Sequence, residues 1–134
     1  MKPNQYESII LQYKVRNAIK ILRENVGQIA SVQSWADEAG VSRRWLCKSM
    51  KKVYGKSPKV IIREVKYEKV VMLIRKDGIE TSCYCVAIDA GFAKAKNVSR
   101  FLSTFYKTTF TELKMDLLKE EVQIDFLWLK GTTK

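Results

Sequence analysis

Ala36-Asp37-Glu38-Ala39-Gly40-Val41 and, further along the chain, Ala87-Ile88-Asp89-Ala90-Gly91-Phe92 write the same pattern twice, Ala-x-x-Ala-Gly-apolar. Both copies sit at the end of a short helical stretch and run into a cationic one. A helix-turn-helix needs this combination: a small residue where two helices cross closely, a glycine that accepts the backbone of the turn, and an apolar plug into the core. One copy would be weak evidence, because any hairpin of helices uses Ala and Gly in this way. Two copies, each ahead of a basic stretch, are much stronger.

Outward from the repeat, single glycines and N-cap residues punctuate the chain, with no Ser/Pro-rich linker between them. The expected elements are a first helix from Tyr6 to Asn25, with apolar Ile10, Tyr13, Ile21 and Val26, closing near Gly27. A short helix over Val32–Ala39 follows, and a third is capped by Ser42 and stopped by Gly55 after Tyr54. Ser57 as cap and Pro58 at the first helical position open a long linker helix that Lys76-Asp77-Gly78 closes. A fifth helix spans Ser82 to Ala90, a sixth Lys94 to Tyr106, and a short seventh begins near Thr111. The expected fold is all-α: one domain over 1–134, with helix-turn-helix units at 27–57 and 78–110, a linker helix at 58–77, and a final helix and tail at 111–134. The type of the tail stays open. Val122, Ile124, Phe126, Leu127, Trp128 and Leu129 nearly alternate, as a strand would, while Leu118, Val122 and Leu129 fit a helix. Packing back onto its own domain, against the first helix, is the expectation for such a tail.

At 3.6 residues per turn the two helices that follow the repeats sort by face. Leu46, Ser49, Met50 and Val53 fall on one side of the third helix, and Arg44, Cys47, Lys48 and Lys51 on the other. In the sixth, Val98, Phe101, Leu102 and Phe105 form the inner side and Lys96, Arg100, Ser103 and Lys107 the outer. An ordinary solvated face mixes charges, with acids one turn from the bases. Neither outer stripe holds an acid, and a single-signed face costs stability unless an anionic partner offsets the repulsion. The net charge of +11 is concentrated accordingly: 16 Lys/Arg stand against 5 Asp/Glu between Ser42 and Lys107, and the flanks cancel.

Other classes fit less well. The chain has no histidine, and its acids near the turns are explained by the helices that carry them, so no enzyme and no cofactor are expected. Cys83-x-Cys85 together with Cys47 lacks zinc-site spacing and a fourth ligand, so buried thiols and no metal are expected. Three cysteines and no secretory signature in Met1-Lys2-Pro3-Asn4 point to a reducing, cytoplasmic setting. The longest apolar run, Val70 to Ile74, is too short to cross a bilayer, so no membrane partner is expected.

These residues resemble the DNA-binding domain of the AraC/XylS family of bacterial transcription regulators. The likeness runs through Ala36–Ser42, Leu46, Lys51-Lys52-Val53-Tyr54-Gly55-Lys56-Ser57-Pro58-Lys59, Arg63–Lys69, Val86–Phe92, Ser99-Arg100 and Thr109. It departs at Lys107 and Phe110, where the family usually has Gly and Pro, at Cys83 and Cys85, and at the apolar swaps Met50 and Val98. The resemblance implies two recognition helices in successive major-groove segments of double-stranded DNA, about one turn or ~34 Å apart, with DNA bending to admit both. By position it implies base reading by Arg44, Cys47 and Lys48 in the first unit and by Ala95, Lys96, Asn97 and Arg100 in the second. Phosphate contacts fall to Ser42, Arg43, Lys51, Lys52, Arg63 and Lys94. Trp45 is expected to be partly buried in the core and not a base wedge. The alternative keeps the fold but has it dock on RNA polymerase or another regulator, or dimerise, through the tail.

Overall fold

The computed structural model describes residues 3–132, with side chains for 5–131. Seven α-helices follow in order: α1 (Pro3–Glu24), α2 (Val32–Ala39), α3 (Arg43–Tyr54), α4 (Pro58–Asp77), α5 (Cys83–Ala90), α6 (Ala95–Tyr106) and α7 (Phe110–Thr132). A single 3-10 turn, Gly78–Glu80, follows α4, and no strand occurs among the described residues. The chain divides into two compact units within the linker helix α4, between Lys69 and Val70.

In the first unit α1, α2, α3 and the start of α4 enclose one core. Trp35 of α2 belongs to one buried cluster with Ala18 and Leu22 of α1, Leu46 and Met50 of α3, and Ile61 and Val65 of α4. Its side chain is fully buried, and its indole N–H donates to the Ala18 carbonyl at 2.8 Å, so the one polar atom of this large side chain is satisfied. Trp45 is partly buried against the same core. In the second unit the buried residues are Val70, Leu73 and Ile74 of α4, Val86, Ala87 and Ala90 of α5, Val98 and Leu102 of α6, and Leu113 and Leu117 of α7. Phe92, the apolar residue after the second turn, meets Phe101 edge-on at 5.1 Å. Lys114 of α7 donates to the Thr81 carbonyl at 2.9 Å, tying the base of α7 to the end of the 3-10 turn.

The two repeats make the same turn. Gly40 (φ 68°) and Gly91 (φ 81°) both adopt the left-handed conformation that ends a helix. The following N–H of Val41 returns to the Ala36 carbonyl at 3.0 Å, and that of Phe92 returns to Ala87 at 2.8 Å. A methyl group added at Gly40 would meet nothing within 4 Å, so glycine is needed there for its backbone and not for space. The start of each following helix differs. The Ser42 side chain accepts the Trp45 N–H at 3.0 Å, while Lys94 caps α6 with no side-chain hydrogen bond.

Lys107 takes the left-handed position that glycine holds at the other turns, with φ 55°, the one positive φ outside glycine among the described residues. A β-carbon in that region costs about 1–2 kcal/mol. Lys107→Gly is therefore expected to stabilise the protein by about 0.5–1 kcal/mol, after the glycine's extra entropy in the unfolded chain is deducted, and Gly40→Ala to destabilise it by about 1–2 kcal/mol. Urea unfolding of the pair checks the opposite signs.

Several sequence expectations need correction. In α1 the core side is Val15, Ala18, Ile19 and Leu22; Ile10 and Tyr13 are exposed on the opposite face. Both sets have helical spacing, so periodicity alone does not choose between them. The seventh helix is not short. It starts at Phe110, with the Thr109 hydroxyl accepting the Glu112 N–H at 3.1 Å, and continues through the tail to Thr132. The tail does not pack back: Val122, Ile124, Phe126, Leu127, Trp128 and Leu129 are 51–69% exposed. Phe105 is half exposed at the edge of the aromatic group around Phe101. The thiols are not buried. Cys47 and Cys85 are exposed and Cys83 is half-buried, its Sγ donating to the Ala95 carbonyl at 3.4 Å between α5 and α6.

Candidate nucleic-acid interface

α3 is held by three inward contacts, Leu46, Ser49 and Met50, all buried. Rotation by 100° per residue then turns Arg44, Cys47, Lys48, Lys51 and Lys52 outward, and all five are exposed. Cys47, Lys48, Lys51 and Lys52 line one shallow depression on this face. α6 is held in the same manner by Val98 and Leu102, leaving Lys96, Arg100, Ser103 and Lys107 exposed.

Neither α3 nor α6 contains an Asp or Glu. Two ion pairs lie away from these faces, Arg23 with Glu68 at 3.0 Å and Lys56 with Glu64 at 2.9 Å, both within the first unit. The cations of both outer faces thus meet water and no carboxylate. Like charges crowded on one face repel, and an anion laid across it would relieve that repulsion.

The candidate residues divide by exposure. Arg44, Cys47 and Lys48 share the exposed face of α3, as Lys96 and Arg100 share that of α6. Ala95 and Asn97 are half-buried, and the Ala95 carbonyl is taken by Cys83. Among the phosphate candidates Arg43, Lys51, Lys52 and Lys94 are exposed, while Arg63 is half-buried on α4. The Ser42 hydroxyl is used as the cap of α3. On the same linker helix, burial lowers the pKa of Lys66 below the ordinary lysine value.

One residue escapes a reading by helical face. Lys59 is exposed near the start of α4 and lines a groove with Arg43 of α3 and with Ser31, Val32 and Gln33 at the start of α2. It lies far from Arg43 in sequence and on another helix, so only the packing of α4 against α2 and α3 brings the two cations to one groove. A lysine directly after a helix-opening Ser-Pro was the available signal.

Two helix-turn-helix units joined by a long helix, each with a cationic second helix, define a DNA-binding domain of the two-motif class. A family model described as a helix-turn-helix domain matches residues 35–115, more than half of the chain and both turns. The chain belongs to the AraC/XylS family of DNA-binding transcription regulators. Among curated proteins no sequence matches it.

Solved structures share the fold. An AraC-type transcriptional regulator from Chromobacterium violaceum is 22% identical with a TM-score of 0.67, over 79% of this chain and 93% of that one. A DNA-binding transcriptional dual regulator from Escherichia coli K-12 is 17% identical with a TM-score of 0.65, over the same shares of 79% and 93%. The DNA-binding domain of AdpA, a global transcriptional factor in complex with a target DNA, is 14% identical with a TM-score of 0.67, over 82% of this chain and 97% of that one. No helix among the described residues is long and apolar enough to cross a membrane.

Proposed function

We propose that this chain recognises double-stranded DNA in a sequence-specific manner by placing α3 and α6 in successive major-groove segments. The reading is carried by the two acid-free outer faces, each following a left-handed glycine turn. That the AdpA domain of similar fold is in complex with a target DNA supports it. Arg44 and Lys48 on α3, and Lys96 and Arg100 on α6, have the reach and donors for guanine O6 and N7. Cys47 on α3, and Ala95 and Asn97 on α6, complete the base-reading candidates of their own helices, Asn97 with the amide that suits adenine. Arg43, Lys51, Lys52, Lys94 and Arg63 neutralise phosphates and set the register, with Ser42 as a minor contributor and Lys59 joining Arg43.

Arg44→Ala or Arg100→Ala is expected to cost about 1–3 kcal/mol on the preferred site and to relax preference at one base pair, as read by titration against a panel of singly substituted duplexes. Unchanged base preference in both variants would remove these assignments. The decisive experiment is selection of bound DNA from random duplexes. Two enriched boxes about one helical turn apart support the mechanism, and no enrichment overturns it.

A second reading has its own observation. Six large apolar side chains of the α7 tail stand in solvent, and an exposed apolar surface of this kind marks a contact site for another protein, such as RNA polymerase or another regulator. Truncation after Lys119 keeps the buried anchors Leu113 and Leu117. Intact DNA binding with loss of transcriptional effect would assign the tail to a partner. Loss of folding would show instead that the tail belongs to the core.

A further inference from the structure

The two apolar stripes of α1 lie on opposite faces. Val15, Ala18, Ile19 and Leu22 are buried, whereas Tyr6, Ile9, Ile10 and Tyr13 are 50–61% exposed at spacing i, i+3, i+4, i+7. Every residue from Gln5 to Ile10 is exposed, so this half of the helix carries an ordered amphipathic stripe with no core behind it. We propose that this stripe pairs antiparallel with the same stripe of a second copy of the chain, making a weak two-fold dimer.

The spacing of the four residues reads identically in either direction. A two-fold axis between Ile9 and Ile10 therefore sets Tyr6 against Tyr13 of the second copy and Ile9 against Ile10, at both ends at once. Such self-complementarity is what an isologous interface requires.

Charge fixes the orientation. Glu7 and Lys14 are seven residues apart and lie on one flank of the stripe, rotated from each other by about 20°. Antiparallel pairing brings Glu7 of each copy to within about 3 Å, along the axis, of Lys14 of the other, forming two equivalent ion pairs. Parallel pairing brings neither to the other. Glu7 and Lys14 take no part in the ion pairs found among the described residues, so both are available. The exposed tail of α7 makes a poorer self-pairing surface, because Glu120, Glu121 and Asp125 interrupt it with one sign of charge.

Area sets the strength. Four side chains per copy bury well under the ~1,600 Å² of a standard interface, so dissociation constants of tens to hundreds of micromolar are expected.

Sedimentation velocity on the full chain without DNA, from about 1 μM to about 1 mM, tests the pairing. The average mass should climb towards the dimer. Ile10→Glu should hold it at the monomer while circular dichroism keeps the same helix content and melting, because Ile10 supports no core. Glu7→Lys and Lys14→Glu should each weaken association several-fold, and the double reversal should restore it. A monomer at every concentration, indifference to Ile10→Glu, or a double reversal no better than the singles would overturn the proposal. So would loss of association in Trp128→Glu, which would give the contact to α7.

Discussion

Raising salt from 50 to 200 mM should weaken binding to the preferred duplex by about 500-fold. Each phosphate neutralised by a lysine or arginine releases condensed counterion, and log affinity falls with log salt at a slope of about −0.9 per contact. Arg43 and Lys59 share one groove and are counted as one contact; with Lys51, Lys52, Arg63 and Lys94 this makes five, a slope of about −4.5, and the fourfold rise in salt then gives the stated loss. Lys51→Ala or Lys52→Ala should lower the slope by about one unit with base preference unchanged, because phosphates position and do not specify. Fluorescence anisotropy across a salt series measures both. A flat response would leave the acid-free faces of α3 and α6 without their partner and bring the α7 docking reading forward.

Trp35→Ala is expected to cost about 3–5 kcal/mol, a large part of the stability of a small domain. The side chain is fully buried in a core built from α1, α2, α3 and α4, and its removal leaves a void that the surrounding side chains fill only in part. Trp35→Phe separates the two contributions. It retains most of the volume and loses the bond to the Ala18 carbonyl, for a cost nearer about 1 kcal/mol. Chemical unfolding of both variants gives the ladder. Because α3 is seated on this core through Leu46 and Met50, DNA affinity should fall with stability in the alanine variant even though Trp35 is nowhere near the outer face.

The candidate interface was legible early because its signals are local. Which side of α3 and α6 faces out follows from rotation per residue once Leu46, Met50, Val98 and Leu102 are placed inside. Exposure of Arg44, Lys48, Lys96 and Arg100 then comes without knowledge of any distant contact. The half-burial of Ala95 and Asn97 was not legible, because it depends on α5 passing close enough for Cys83 to reach the Ala95 carbonyl. Lys59 beside Arg43 is invisible for the same reason. Lys107 is an intermediate case: its departure from the family pattern stood out, but only its φ shows that the chain keeps the left-handed turn and bears the strain.

Sequence alone therefore determined where helices begin and end in the middle of this chain. Ser31, Ser42, Ser57 and Ser82 cap through bonds to amides within three residues, and Gly40, Gly55 and Gly91 stop through their own backbone, all interactions that need no tertiary partner. Tertiary structure decided which of two equally periodic stripes of α1 meets the core, whether the thiols are covered, and that Trp35 is the largest side chain to be fully buried. It also decided the tail. Near-alternation allowed a strand, but a strand needs a neighbour for its amides, whereas the turn anchored by Leu113 and Leu117 propagates through Leu, Lys, Glu and Gln with every new bond satisfied inside α7. Local bonds are written in a few adjacent letters; burial depends on what arrives from elsewhere in the chain.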